Sequence, residues 1–282
     1  MRVGVPRIRI PIVLAAVLAV ASGVLAQQIM VGGRYGGWNR LPPKFASMDD
    51  FDGSWIYCRG YYRSYTREPG GSGWNTDYPA ADNNFSVRLM ELTRIHVPVD
   101  ANRQPNYVVV SLSDPTLFRC PMLFMEDVGT AEFSPAEVKN LREFFMKGGF
   151  LWVDDYWGSD AWNSWVEEIS RVLPPNEFPI FDIPLTHPIM HTLYDVKDYL
   201  QVASINFWGQ SGGSVSERGP DSAQVHYRGI QDSQGRLMVL MTHNTDVADT
   251  WEREGDNQQY FDLFSPRGYA IGVNVVLYAL TH

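Results

Sequence analysis

Gly148-Gly149-Phe150-Leu151-Trp152-Val153-Asp154-Asp155-Tyr156-Trp157-Gly158 reads as a helix stop, a short buried strand, and an acidic turn opening into another helix. Four apolar residues run without a gap into two carboxylates. The chain therefore leaves the interior abruptly and carries charge to a rim. In an open α/β sheet the carboxyl ends of the strands are where ligands sit, and this turn falls at such an end. Successive side chains along a strand alternate in direction, so the two acids diverge. Asp155 is expected to face a pocket, and Asp154 to accept backbone N–H groups at the start of the following helix.

Just upstream lies the best-signalled helix of the chain. Ser134 is its N-cap, Pro135 occupies the first turn, and Glu137 completes a capping box. Val138, Leu141, Phe144 and Phe145 form its buried stripe, and Gly148 supplies a left-handed close. Downstream, Asp160 is expected to cap a helix carrying Trp162, Trp165, Val166, Ile169 and Leu173, ended by Pro174-Pro175. Trp162 and Trp165 read as core, with Trp157 freer.

Farther out, residues 55–61, 107–112 and 122–125 read as strands. A helix capped by Asp82 follows the first, with Phe85, Leu89 and Leu92 on one face. Residues 225–228 and 237–242 form a hairpin through Asp232-Ser233-Gln234-Gly235. Residues 178–199 read as irregular, 201–222 as an excursion, and 246–262 as a solvated acidic loop. Ser265-Pro266 is taken to start a buried final helix. Strands alternating with helices, with near-continuous apolar strands, indicate an open, mainly parallel sheet covered on both faces. The expectation is a three-layer α/β domain over residues 51–282.

The first residues address the chain. Arg2, Arg7 and Arg9 precede an apolar run at 10–24 and the small-residue site Val24-Leu25-Ala26, the layout of a secretory signal peptide spanning 1–26. That run falls short of the roughly 20 residues a membrane span requires. Its removal leaves no stable membrane span and moves the formal charge from −9 to −12, 20 basic against 32 acidic residues. Such a surface excludes nucleic acid, whose binding rests on Lys and Arg at phosphates, and disfavours anionic lipid. The expected location is periplasmic or extracellular, with a small molecule or an envelope protein as partner. Residues 27–50 read as a flexible linker. Its glycine-rich 31–37 stretch has no strand before it and no helix after it, so a dinucleotide loop is excluded. Cys58 and Cys120, the only two cysteines, are expected as buried reduced thiols.

The candidate site gathers Asp154, Asp155, His187 and His191, with Trp74 and Asp77 overhanging the same edge from the first long loop. His243, Asp246 and Asp249 follow the last strand and reach toward that rim. His187 and His191 stand four apart, and Pro188 fits a first turn but not a regular helix. Asp155 with the two imidazoles has the chemistry to hold a divalent metal or to act as acid and base. An open Trp157 or Trp208 would instead provide a carbohydrate platform.

Trp74-Asn75-Thr76-Asp77, the 148–155 run, His187-Pro188-Ile189 to His191, and the closing 272–280 stretch resemble the bacterial "domain of unknown function 4159" family over roughly 51–282. That resemblance implies a flavodoxin-like fold similar to class I glutamine amidotransferases, and no established activity. Amidotransferases of that fold carry a nucleophilic cysteine on a strand-to-helix turn. The turn here, Asp154-Asp155-Tyr156, holds none, which argues against glutamine hydrolysis. The resulting expectation is a non-catalytic ligand- or partner-binding domain. Its alternatives are a metal-dependent or acid–base hydrolase using Asp155 with His187 or His191, and a cell-wall carbohydrate binder.

Overall fold

The 148–158 stretch folds as read: α2 (Pro135–Met146) closes at Gly148 with φ +99°, β6 (Leu151–Asp154) follows, and α3 (Gly158–Val172) opens after the acidic turn. The computed structural model describes residues 41–69 and 71–282. The signal peptide expected at 1–26 and the first part of the expected linker lie outside the described residues.

The remaining strands are β1 (Tyr57–Tyr61), β2 (Arg63–Ser64), β3 (Tyr107–Ser111), β4 (Leu123–Glu126), β5 (Ala131–Glu132), β7 (Ile180–Asp182), β8 (His226–Gln231) and β9 (Leu237–His243). The remaining helices are α1 (Ala80–Leu92), α4 (Ile205–Gln210), α5 (Asp249–Glu252) and α6 (Gln258–Thr281). Seven strands form one sheet in the order β3-β1-β4-β6-β9-β8-β7, and β2 pairs with β5 in a separate two-stranded ribbon. β3, β1, β4, β6 and β9 run parallel. The 226–243 hairpin lays β8 antiparallel against β9, and β7 pairs antiparallel with β8 at the edge, running the same way as the parallel strands.

The pleat separates two cores. Trp152 joins the cluster built with Phe85, Trp251 and Val273, under α1, α5 and α6. Leu151 and Val153 join the opposite cluster with Leu141, Phe145 and Trp165, under α2 and α3. The result is helix, sheet, helix, with β6 in the middle of the sheet and buried along its length.

Several expectations are corrected. α1 begins at Ala80 after Pro79, so Asp82 is not its cap; it lies inside the first turn, fully buried against Arg59. α3 begins at Gly158 with no side-chain cap, so Asp160 is a first-turn acid. α6 starts at Gln258, not at Ser265, because the Asn257 side chain accepts from Tyr260 N–H at 3.0 Å; Pro266 is carried inside the helix. Residues 246–250 are not a solvated loop: Asp246 and Asp249 are both 2% exposed. The end of the expected linker is tied down, since Val109 N–H donates to Lys44 and Ala46 N–H donates to Val109 along β3. Cys58 and Cys120 are not free thiols but a disulfide, with Cα atoms 6.1 Å apart. β1 and the loop before β4 lie side by side in the sheet, a proximity that a separation of 62 residues hid.

Candidate functional site

Two parallel strands end alike. Leu123-Phe124-Met125-Glu126-Asp127 and Leu151-Trp152-Val153-Asp154-Asp155 lie in register, Glu126 opposite Asp154. In each, the first acid is the last strand residue, fully buried in the sheet. The second takes a left-handed backbone, φ 52° at both Asp127 and Asp155, a conformation that Asp tolerates better than most residues. Asp127 N–H donates to the Asp154 and Asp155 carbonyls, stapling the two turns together.

Those turns, with loops after β1 and β9, enclose a small cavity of about 50 Å³ at the C-terminal edge of the parallel strands. Its carboxylates are Glu68, Asp77, Asp127, Asp155, Glu217 and Asp246, beside Thr76, Trp157 and Ser204. Glu68, Pro69 and Trp157 also line an adjoining hollow of about 350 Å³ that contains Tyr65, Arg67 and Arg218.

Asp155 faces this cavity, as expected, and its Oδ1 accepts from Trp157 Nε1 at 2.8 Å. Burial, reinforced by Asp77, Glu217 and Asp127, raises its carboxyl well above the usual range. Asp154 turns into the sheet. Its Oδ1 accepts from Thr242 Oγ1 at 2.5 Å and its Oδ2 from Ala248 N–H at 3.0 Å. It therefore braces the segment leading into α5 and not the start of α3, because its side chain points back under β9. Burial lifts it to about 7 against these donors.

Beneath the cavity lies a cationic strut that sequence reading missed. Arg59, fully buried on β1, donates through Nε to both Asp82 oxygens at 3.0 Å and through Nη1 to Glu126 and the Thr76 carbonyl. Among the described residues Glu126 Oε1 is left with no partner, as is Asp77 Oδ2. Burial pushes both carboxyls well up, with the Glu126 charge adding to the rise at Asp77 and those of Asp155 and Asp154 to the rise at Glu126.

Glu68 and Asp127 form a second carboxyl pair. Glu68 Oε1 accepts from Trp157 N–H at 2.8 Å and Arg218 Nη2 at 3.2 Å, while Asp127 Oδ2 accepts from Gly73 N–H at 2.6 Å. Among the described residues Glu68 Oε2 and Asp127 Oδ1 have no donor. Burial, then mutual repulsion, raises Glu68 to about 8; burial raises Asp127 to about 6.

Oxygens suited to a metal lie close together in two overlapping sets. One comes from Asp77, Asp246 and Asp249, the other from Glu126, Asp154 and Asp246, each within 4.8 Å.

The histidines are elsewhere. His187 caps the Pro188–Met190 turn, its Nδ1 accepting from Ile189 N–H at 3.2 Å, and its ring centre lies 5.8 Å from that of Tyr278. Tyr278 Oη accepts from Leu237 N–H, where β9 begins. That is the opposite edge of the sheet. Four residues of strand at about 3.3 Å each separate the edges by roughly 13 Å, too far for one ion with bonds near 2 Å. His191 spends both ring nitrogens locally, on Asp195 at 2.9 Å and the Leu185 carbonyl at 2.6 Å. Asp155, His187 and His191 therefore form no shared centre, and His243, which contacts the Gly158 carbonyl, is 4% exposed. A larger hollow of about 720 Å³ at that opposite edge is lined by Trp55, His96, Arg119 and Lys147, with no carboxylate in its wall.

Trp74 does not line the acidic cavity; its ring packs between Tyr61 and Tyr78, at 5.2 and 5.5 Å, while the neighbouring Thr76 and Asp77 do reach it. Trp157 is 4% exposed and Trp208 packs edge-on against Tyr260, so neither lies open as a platform. Sequence reading passed over Glu68, Glu126, Asp127 and Glu217. For Glu126 and Asp127 the signal was present, in the same apolar run ending in two acids that singled out Asp154 and Asp155.

Among the described residues no helix is long and apolar enough to cross a membrane. No curated protein matches the chain. Residues 64–280, most of the chain, match the family described as "Domain of unknown function (DUF4159)", and the chain belongs to that family.

Proposed function

We propose that this is an exported, non-catalytic binding domain that takes a small cationic ligand at the acidic C-terminal edge of its sheet. The observation that carries the reading is the wall of six carboxylates, contributed by loops after β1, β4, β6 and β9 and by the 201–222 excursion, around a cavity that no basic side chain lines among the described residues. The adjoining hollow, sharing Glu68 and Trp157 with it, is of ligand size.

The scaffold supports a flavodoxin-like, class I glutamine amidotransferase-like reading. Numbered among themselves, the five parallel strands run 2-1-3-4-5, an order whose switch point lies between the first and third. Here that is between β1 and β4, where Glu68, Asp77 and Asp127 emerge. Both cysteines are held in the disulfide, so no thiol serves a nucleophilic role in this reading.

Calorimetric titration of the mature protein with putrescine, agmatine and choline tests the proposal. Saturable binding of at least one, abolished in Asp155→Asn, is the expected result. No binding of any cation, organic or inorganic, at millimolar concentration would refute it. A second reading, acid–base chemistry, is favoured by one observation: the Glu68–Asp127 pair holds carboxyl groups near neutrality at the cavity wall. It uses these acids in place of His187 and His191, and requires turnover that disappears in Glu68→Gln.

A further inference from the structure

We infer that the floor of the acidic cavity is a binding site for a hard divalent cation, Ca²⁺ or Mg²⁺, centred on Asp246. The inference deepens the binding reading above by naming an inorganic ion, and rests on it for the choice of edge.

The first observation is the spacing of oxygens. Asp246 belongs to both close sets, one completed by Asp77 and Asp249, the other by Glu126 and Asp154. Oxygens on opposite sides of a calcium ion with bonds of 2.3–2.6 Å stand roughly 4.6–5.2 Å apart. The three oxygens of either set, within 4.8 Å of one another, therefore match the coordination shell of a single ion.

The second observation is independent of that clustering. Glu126 has no exposed surface, and among the described residues its Oε1 has no hydrogen-bond partner; the Oδ2 atom of the partly buried Asp77 is also out of solvent and unpartnered among them. A buried carboxylate oxygen without a donor is costly, and these two side chains stand next to each other beside Asp246 and Asp249. Arg59 is ion-paired to the other Glu126 oxygen through Nη1 and held by Asp82 through Nε, and its Nη2 donates to neither unpartnered oxygen. A cation between them would supply the missing partner for both.

The surrounding donors already hold the acids in place. Asp249 N–H donates to Asp246 Oδ1 at 2.9 Å, Tyr260 Oη lies 3.3 Å from Asp249 Oδ2, and Thr242 and Ala248 hold Asp154. Such outer contacts orient ligating carboxylates. The donor set is all oxygen, without sulfur or imidazole, which selects hard cations over zinc or copper.

The test is titration of the mature, disulfide-bonded protein with CaCl₂ and with MgCl₂ after removal of divalent ions, read by calorimetry and by thermal melting. Saturable binding near one equivalent of either ion is expected, with a higher melting temperature. Asp246→Asn should weaken that binding at least tenfold. It should also melt no lower than the wild type in chelator, because it removes a buried charge; a merely structural aspartate would melt lower. Asp262→Asn, on the exposed side of α6, should bind like the wild type. Wild-type protein that is folded and neither binds Ca²⁺ or Mg²⁺ at millimolar concentration nor changes its melting overturns the inference. If putrescine or agmatine binds the same sample, the cationic-ligand reading stands and the inorganic site alone falls.

Discussion

Glu68 shows how burial governs this edge residue by residue. Arg218 at 3.2 Å favours its ionised form, yet burial and the facing Asp127 carboxyl win, and its carboxyl sits at about 8. A carboxyl whose folded value lies above its ordinary 4.5 binds more protons folded than unfolded, so its stabilising contribution is complete below about 4.5 and is lost as pH rises through about 8. Urea unfolding of chelator-treated protein at pH 5, 7 and 9 should show stability falling across that window, and Glu68→Gln should flatten the fall. An unchanged slope in the variant would assign the pH dependence to other acids. Arg59 is the opposite case, a buried cation that Asp82 and Glu126 both require. Arg59→Met should cost about 3–5 kcal/mol, since it strands two carboxylates in the interior; chemical denaturation measures it.

At the scale of elements, local chemistry sets most boundaries. The Ser134–Glu137 capping box forms as read, with Glu137 Oε2 accepting from Ser134 N–H at 2.7 Å. Ser134→Ala should lower stability by about 1 kcal/mol, and a variant with unchanged unfolding midpoint would deny the cap that role. Strands β1, β3, β4, β6 and the 226–243 hairpin were legible because apolar runs and turn residues are local signals. The start of α6 was not, because Pro266 invites a first-turn reading while the true cap, Asn257, lies nine residues earlier. Nor was the buried state of Asp246 and Asp249: an acidic stretch reads as solvated unless one knows that four other loops close over it. The error over His187 and His191 has the same root. Their spacing is a fact of sequence, but β7 runs the same way as the parallel strands and the chain doubles back after it, which seats His187 against Tyr278 near the start of β9.

On the scale of the whole molecule, the sheet divides the labour between its two ends. The N-terminal end of the parallel strands holds the Cys120 side of the disulfide and the basic hollow with Arg119 and Lys147. The C-terminal end gathers acids from widely separated parts of the chain. The Cys58–Cys120 bond closes a loop of 62 residues between adjacent regions of the sheet. Replacing both cysteines by alanine should therefore cost about 2–4 kcal/mol, seen as a lower melting temperature. The most direct examination of the acidic edge is anomalous diffraction from crystals of the mature protein grown with Mn²⁺, an oxygen-preferring ion whose position is visible. A peak bonded to Asp246 and shared with Asp77 or Glu126 is the expected result. Full-occupancy manganese at His187 and His191, with the Asp246 cavity empty, would contradict it.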